Sequence, residues 1–272
     1  MSPTDPAPAP GGISGETLRV RYAPGQPAII DNESIHLPHG RITALIGPNG
    51  SGKSTLLKTL ARQMVPESGR VMLDGRDLAK LPNRELARCL GILFQENPAP
   101  GDLTVDELVH HGRYPHRRMF AAITREDEQA VEDALRRSDL LGLRHQPLAE
   151  LSSGQRQLAW IAMALAQGPD HLFLDEPTTF LDLAHQFEVM NLVRRLNRDL
   201  GRTIVLVLHD LNLAARYAHH LIAVRAGKIV VAGTPAEVLT VRVLREVFSV
   251  EARIVVDDTG TITCIPLDRA AP

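Results

Sequence analysis

Residues Gly47 to Thr55 read Gly-Pro-Asn-Gly-Ser-Gly-Lys-Ser-Thr. The apolar run Ile42-Thr43-Ala44-Leu45-Ile46 stands directly before them, and Leu56-Leu57-Lys58-Thr59-Leu60 directly after. The order is strand, glycine-rich turn, helix, and the spacing fits the phosphate-binding P-loop pattern. Glycines at 47, 50 and 52 let the backbone take conformations a side chain forbids, so several N–H groups can face one anion. The helix that follows adds its positive N-terminal end. Pro48, Asn49, Ser51 and Thr55 complete the loop. Lys53 is placed to reach terminal phosphates, and Ser54 to put its hydroxyl on Mg²⁺.

The chain has 272 residues, enough to bury a full α/β core as one domain or one domain with a subdomain. Its net charge of −2 implies no strong attraction to nucleic acid. Cys89 and Cys264 have no metal-like spacing and read as reduced, incidental thiols of a cytosolic protein. There is no apolar run of membrane-spanning length, and no basic-then-apolar leader at the N-terminus. The expectation is a protein that neither spans a membrane nor is exported by that route.

Prolines at 3, 6, 8 and 10 mark residues 1–15 as a disordered tail. Order is expected from Thr17, where Leu18-Arg19-Val20-Arg21-Tyr22 alternates as a half-exposed strand does. Further strands are expected over 28–37, with a turn near Asn32, over 41–46, and at Val71-Met72-Leu73 before the turn Asp74-Gly75. The texture then becomes helical, and a helical subdomain is expected over about 97–168. Thr104 caps a helix over 105–111, Thr124 one to about 139, and Ser152 one that stops at Gly168-Pro169. Beyond it, strands near 171–174, 203–208 and 220–225 alternate with helices near 182–199 and 210–218. That alternation implies right-handed crossovers and a mostly parallel sheet. A terminal hairpin is expected over about 250–266.

A second motif, Leu172-Phe173-Leu174-Asp175-Glu176-Pro177, ends an apolar strand in two carboxylates. At the C-terminal edge of an open α/β sheet, where such sheets bind ligands, Asp175 can hold Mg²⁺. Glu176 is placed to polarise a water for attack on a γ-phosphate.

Leu151-Ser152-Ser153-Gly154-Gln155 is both a capping box for the next helix and a capped anion site. Here the chain resembles the ATP-binding cassette (ABC) ATPases, whose signature is Leu-Ser-Gly-Gly-Gln; Ser153 replaces one glycine with another small residue. Other elements fall in the family's order. Tyr22 matches the adenine-stacking aromatic residue, Gln95 the Q-loop, Leu181-Asp182 the D-loop and His209 the switch histidine. The resemblance spans about 17–248. The fold it implies is α/β: a RecA-like P-loop NTPase core with an antiparallel β-subdomain and an inserted α-helical subdomain. It implies two cassettes packed head to tail as a homodimer, or a pseudo-dimer with a related chain. Each signature, Ser152 to Gln155, then closes on ATP held by the other P-loop. It further implies that Gln95 senses Mg²⁺, that His209 contacts the γ-phosphate and that Asp182 couples the two sites.

Gly112-Arg113-Tyr114-Pro115-His116, Arg125-Glu126-Asp127-Glu128 and the run from Thr178 to Gln186 are similar to importers of iron–siderophore complexes, haem and cobalamin, the ferric-siderophore branch above all. By that resemblance the ATPase sits on the cytoplasmic face of the inner membrane under a two-copy permease, with an extracytoplasmic binding protein. The permease would insert a short helix near Pro98 to Arg118. A soluble ABC ATPase of DNA repair would carry a long coiled-coil insertion, and none stands between P-loop and signature. The histidine pairs 110–111 and 219–220 point about 100° apart on a helix and chelate poorly. They read as surface or helix-end residues.

Overall fold

A computed structural model describes residues 11–95, 102–117, 122–258 and 260–270. Along the chain come β1 (Gly12–Val20), β2 (Ile30–Pro38), β3 (Ile42–Ile46), α1 (Lys53–Leu60), β4 (Ser68–Leu73), β5 (Arg76–Asp77), α2 (Asn83–Cys89) and β6 (Leu90–Leu93). Three helices follow, α3 (Val105–His111), α4 (Arg125–Arg137) and α5 (Ser153–Ala166). Next are β7 (His171–Asp175), α6 (Leu183–Leu200), β8 (Thr203–Val207), α7 (Leu211–Tyr217), β9 (His220–Arg225) and β10 (Lys228–Gly233). The chain closes with α8 (Pro235–Val238), α9 (Val241–Phe248), β11 (Val250–Val256) and β12 (Ile262–Arg269).

The main sheet has the order β10-β9-β3-β8-β7-β6, parallel except for the edge strand β10. β3, β7 and β8 are buried along their whole length, which is why each reads as an unbroken apolar run rather than an alternation. Their side chains still divide by parity. Leu45, Phe173, Val205 and Val207 face α1 and the second sheet, whereas Ala44, Leu174 and Leu206 face the helical side. The second sheet, β2-β1-β4-β5, is antiparallel and closes over α1 through Ile13, Leu18 and Leu37.

Helices α3, α4 and α5 lie between β6 and β7 in sequence and pack on one another. Gly112 is forced by proximity, since a Cβ there would stand 2.1 Å from the carbonyl oxygen of Met163 in α5. Arg113 next to it is buried, with Nε 2.9 Å from Asp127 Oδ1 and Nη1 donating to the carbonyl of Ala166 at 2.8 Å. The His116 ring reaches the carbonyl of Gln167 at 2.8 Å. The Gly-Arg-Tyr-Pro-His stretch is thus a clamp joining α3 to the end of α5.

Several boundaries differ from expectation. β1 begins at Gly12 and not at Thr17, because Ile13 to Gly15 pair with β2 on one side and β4 on the other. The glycines and the proline-rich stretch before them mask this in the sequence; residues 1–10 lie outside the described part. The hairpin runs to Arg269, a few residues past the expected end, and is tied to α7 where Asn212 Oδ1 accepts from the Cys264 N–H at 2.7 Å. β10, α8 and α9 were not expected at all. Of the histidines, His110 and His111 sit in the last turn of α3, as the helix-end reading has it, and His110 is largely buried and bonded to the Asp106 carbonyl. His219 stays exposed while accepting from the Ile42 N–H at 3.0 Å. Pro98 and Arg118, the bounds of the expected permease contact, also lie outside the described residues. Among the described residues no helix is long and apolar enough to cross a membrane.

Candidate active site

Four adjacent parallel strands deliver the site. In sheet order β3, β8, β7 and β6 end in the P-loop, His209, the Asp175-Glu176 pair and Gln95, all at the same C-terminal edge. Register makes them level: Leu45 pairs with Val207, Leu206 with Leu174, and Leu174 with Leu93. A cleft of about 600 Å³ opens above this edge, lined by Tyr22, residues 49–55, Gln95, Glu176, Thr179 and His209, with Ile29 and Phe180 at its margin.

The P-loop is shaped by what surrounds it. A Cβ on Gly47 would meet the carbonyl oxygen of Val224 at 2.1 Å, and Gly52 caps α1 with φ of 100°, so neither position admits a side chain. Lys53 is buried and donates from Nζ to the carbonyls of Gly47 and Pro48, each at 2.9 Å. Burial lowers its pKa, with Glu176 and Asp175 pulling it back. Ser54 Oγ donates to Asp175 Oδ1 at 2.9 Å. Burial pushes the Asp175 carboxyl up, against the Ser54 hydrogen bond and the nearby Lys58 charge. These are hard oxygen donors converging at the phosphate-binding edge, and they fit Mg²⁺, which takes one or two protein ligands and leaves the rest to phosphates and water. Ser54 and Asp175, with Gln95 beside them, are the residues that would hold it.

Glu176 stands in a cage. Its Oε2 accepts from Gln95 Nε2 at 2.9 Å and from Thr179 Oγ1 at 3.0 Å, while Oε1 is 2.6 Å from His209 Nε2. The turn that aims it is strained: Glu176 and Phe180 take φ of 53° and 66°, a conformation costing about 1 kcal/mol or more each outside glycine. Tyr22 follows β1, its hydroxyl 3.0 Å from Thr55 Oγ1 and its ring exposed at the cleft mouth.

The signature lies elsewhere. Ser152 caps α5, accepting from the Gln155 N–H at 3.2 Å while its own N–H donates to Gln155 Oε1 at 3.0 Å. Ser152, Ser153, Gly154 and Gln155 are absent from the residues lining the cleft. Gly154 packs on His185, whose ring would lie 2.1 Å from an added Cβ. His185 Nδ1 is in turn 2.8 Å from Asp182 Oδ1, so signature and D-loop are held as one unit.

A profile described as ABC transporter matches residues 30–179. The chain belongs to the ABC transporter family. This ABC ATPase is 46% identical over 261 residues to the ferric enterobactin transport ATP-binding protein FepC of Escherichia coli, covering 96% of each chain. It is equally 46% identical, over 257 residues, to the iron(3+)-hydroxamate import ATP-binding protein FhuC of Bacillus subtilis, covering 94% of this chain and 95% of that one. Among solved structures, a metal-chelate type ABC transporter in an inward-facing conformation superposes with a TM-score of 0.82 at 27% identity, over 95% of this chain and 98% of that chain.

Tyr22, Asn49 to Thr55, Gln95, Glu176 and His209, expected from sequence, therefore meet at one cleft, with Asp175 beneath it bonded to Ser54. Asp182 and the signature do not join them. Sequence reasoning missed Thr179, Phe180, Ile29 and His185. Thr179, Phe180, which is 90% exposed, and His185 lie in the run from Thr178 to Gln186 that carried the importer resemblance, but that resemblance assigned them no place in the site.

Proposed function

We propose that this ABC ATPase powers uptake of a ferric siderophore across the bacterial inner membrane, working as a homodimer on the cytoplasmic face under a permease fed by an extracytoplasmic binding protein. Two relatives that handle different iron chelates are equally similar to it, which supports the iron-chelate class and leaves the individual chelate to the permease and binding protein. Haem and cobalamin are the alternatives within the same role.

The observation that carries the mechanism is the separation of the signature from the cleft of its own chain. The capped start of α5 is an anion site with no phosphate of its own to hold. Head-to-tail pairing of two copies sets Ser152 to Gln155 of one against ATP on the other. ATP then favours the closed pair, because only the triphosphate satisfies both faces. On binding, Lys53 turns from the loop carbonyls to the phosphates and Tyr22 stacks on adenine; Ser54, Gln95 and Asp175 would hold Mg²⁺, which would supply positive charge against the developing negative charge. His209 moves from Glu176 toward the γ-phosphate and frees Oε1 to orient the attacking water. Asp182, in the D-loop, couples the two sites.

Glu176→Gln tests this. Phosphate release falls at least about a hundredfold, and light scattering shows an ATP-dependent dimer. An active monomer overturns both roles. Loss of labelled ferric-siderophore uptake in a strain lacking the chain, restored by the wild type alone, tests the cargo. Restored haem or cobalamin uptake instead moves the reading to the alternative.

A further inference from the structure

Three segments remote in sequence bring His39, Asp74 and His171 together at the end of the main sheet opposite the nucleotide cleft. His39 lies in the β2–β3 turn, Asp74 follows β4, and His171 is the first residue of β7, whose far end carries Asp175. One nitrogen or oxygen atom from each lies within 4.8 Å of the other two. His171 Nε2 stands 3.0 Å from Asp74 Oδ2, and His39 Nδ1 stands 3.9 Å from Asp74 Oδ1. The two imidazole rings face each other edge to face, with centroids 5.9 Å apart.

A structural role accounts for part of this. Asp74 Oδ1 accepts from the Gly12 N–H at 2.7 Å, and so fastens the start of β1. It does not use His39, and it engages His171 only through Nε2, at 3.0 Å from Asp74 Oδ2. His171 is fully buried at the head of β7, and its Nδ1 has no hydrogen-bond partner among the described residues.

We propose that His39, Asp74 and His171 form a binding site for a first-row divalent transition-metal ion, with zinc as the probe. Two imidazoles and one carboxylate suit zinc, iron(II) or nickel and discriminate against magnesium and calcium, which prefer oxygen throughout. With metal–ligand bonds of about 2.1 Å, neighbouring ligand atoms are about 3.0 to 3.4 Å apart. The Nε2 of His171 and Oδ2 of Asp74 already stand at that separation. His39 lies within 4.8 Å of both and must move closer to complete the set; its side chain, 56% exposed, has room to do so. The open side leaves further positions to water. Binding at Nε2 replaces that nitrogen's hydrogen bond to Asp74 and leaves the ring N–H on Nδ1, which has no partner among the described residues. That cost holds the affinity to the micromolar range. The ion ties the antiparallel sheet to the first residue of the strand that ends in Asp175.

The untagged full-length chain, stripped by a chelator, is titrated with Zn²⁺ against a chromophoric competitor. One Zn²⁺ per chain with micromolar affinity is expected, together with a rise in Tm that Mg²⁺ does not reproduce. His39→Ala, on an exposed turn, weakens Zn²⁺ binding about tenfold or more and removes the Tm rise, with ATP affinity unchanged. Asp74→Asn, the second variant, also weakens it; His145→Ala, elsewhere on the surface, does not. Absence of stoichiometric binding, or wild-type affinity in the His39→Ala chain, overturns the site.

Discussion

His209 and Glu176 arrive on neighbouring strands, β8 and β7, and meet with Nε2 2.6 Å from Oε1. The contact occupies the carboxylate oxygen that Gln95 and Thr179 leave over. If the histidine moves to the γ-phosphate during turnover, its loss affects the chemical step more than ground-state binding. His209→Ala is therefore expected to lower kcat by about 10²- to 10³-fold while the KM for ATP changes little. An equal loss in KM, by steady-state phosphate release, contradicts that assignment.

Gly154 and His185 make a second testable pair. The Gly154→Ala methyl group runs into the His185 ring, and α5 must shift at its start. The expected outcome is a loss of about 2 kcal/mol by urea unfolding, the cost of overpacking, with impaired turnover. Adding His185→Ala makes room and restores most of the stability. Simple additivity of the two substitutions contradicts the contact.

Tyr22 presents an open ring beside the P-loop. Stacking of a base on an aromatic residue is worth about 1–3 kcal/mol. Tyr22→Ala is expected to raise the Kd for ATP about tenfold, and Tyr22→Phe to leave it within about twofold, since the hydroxyl contact to Thr55 lies off the ring face. Equal losses in both variants, by calorimetry, shift the role from the ring to the hydroxyl.

The Arg113–Asp127 pair predicts acid sensitivity of the packing of α3, α4 and α5. Burial pushes the Asp127 carboxyl up, but the Arg113 guanidinium and the Thr124 cap outweigh it and hold the pKa at about 2. A pKa depressed on folding adds stability that is present at neutral pH. It is lost as pH falls from about 4 toward about 2. Its size is about 1–2 kcal/mol, allowing for the nearby solvent. Asp127→Asn costs about 3 kcal/mol at neutral pH, because Arg113 is left buried without its counter-charge. That difference from wild type narrows as pH falls; a gap independent of pH contradicts the linkage.

Much of the molecule was legible because its signals are local. The P-loop glycines, the apolar runs of β3, β7 and β8, and the capping boxes at Thr104, Thr124 and Ser152 each act within a few residues of themselves. The Asp175-Glu176 strand end could be found for the same reason, whereas Gln95 and His209 were placed only by the order of motifs in the family that the chain resembles. The start of β1 was misread because its pairing partners, Leu37 and Leu73, are supplied by other segments. β10 and α9 went unseen because they are held by packing against β9 and β11.

The amino-acid order by itself picked out the P-loop, the Asp175-Glu176 pair and the capped start of α5 as candidates, since each motif presents its donors or carboxylates through one turn of backbone. Only tertiary structure decided which of them share a cleft. It set four strand ends level, turned the signature away from its own P-loop, joined Gly154 to His185, and gathered His39, Asp74 and His171 from three separate segments. Sheet register and close packing are long-range relations, and no window along the chain contains both partners.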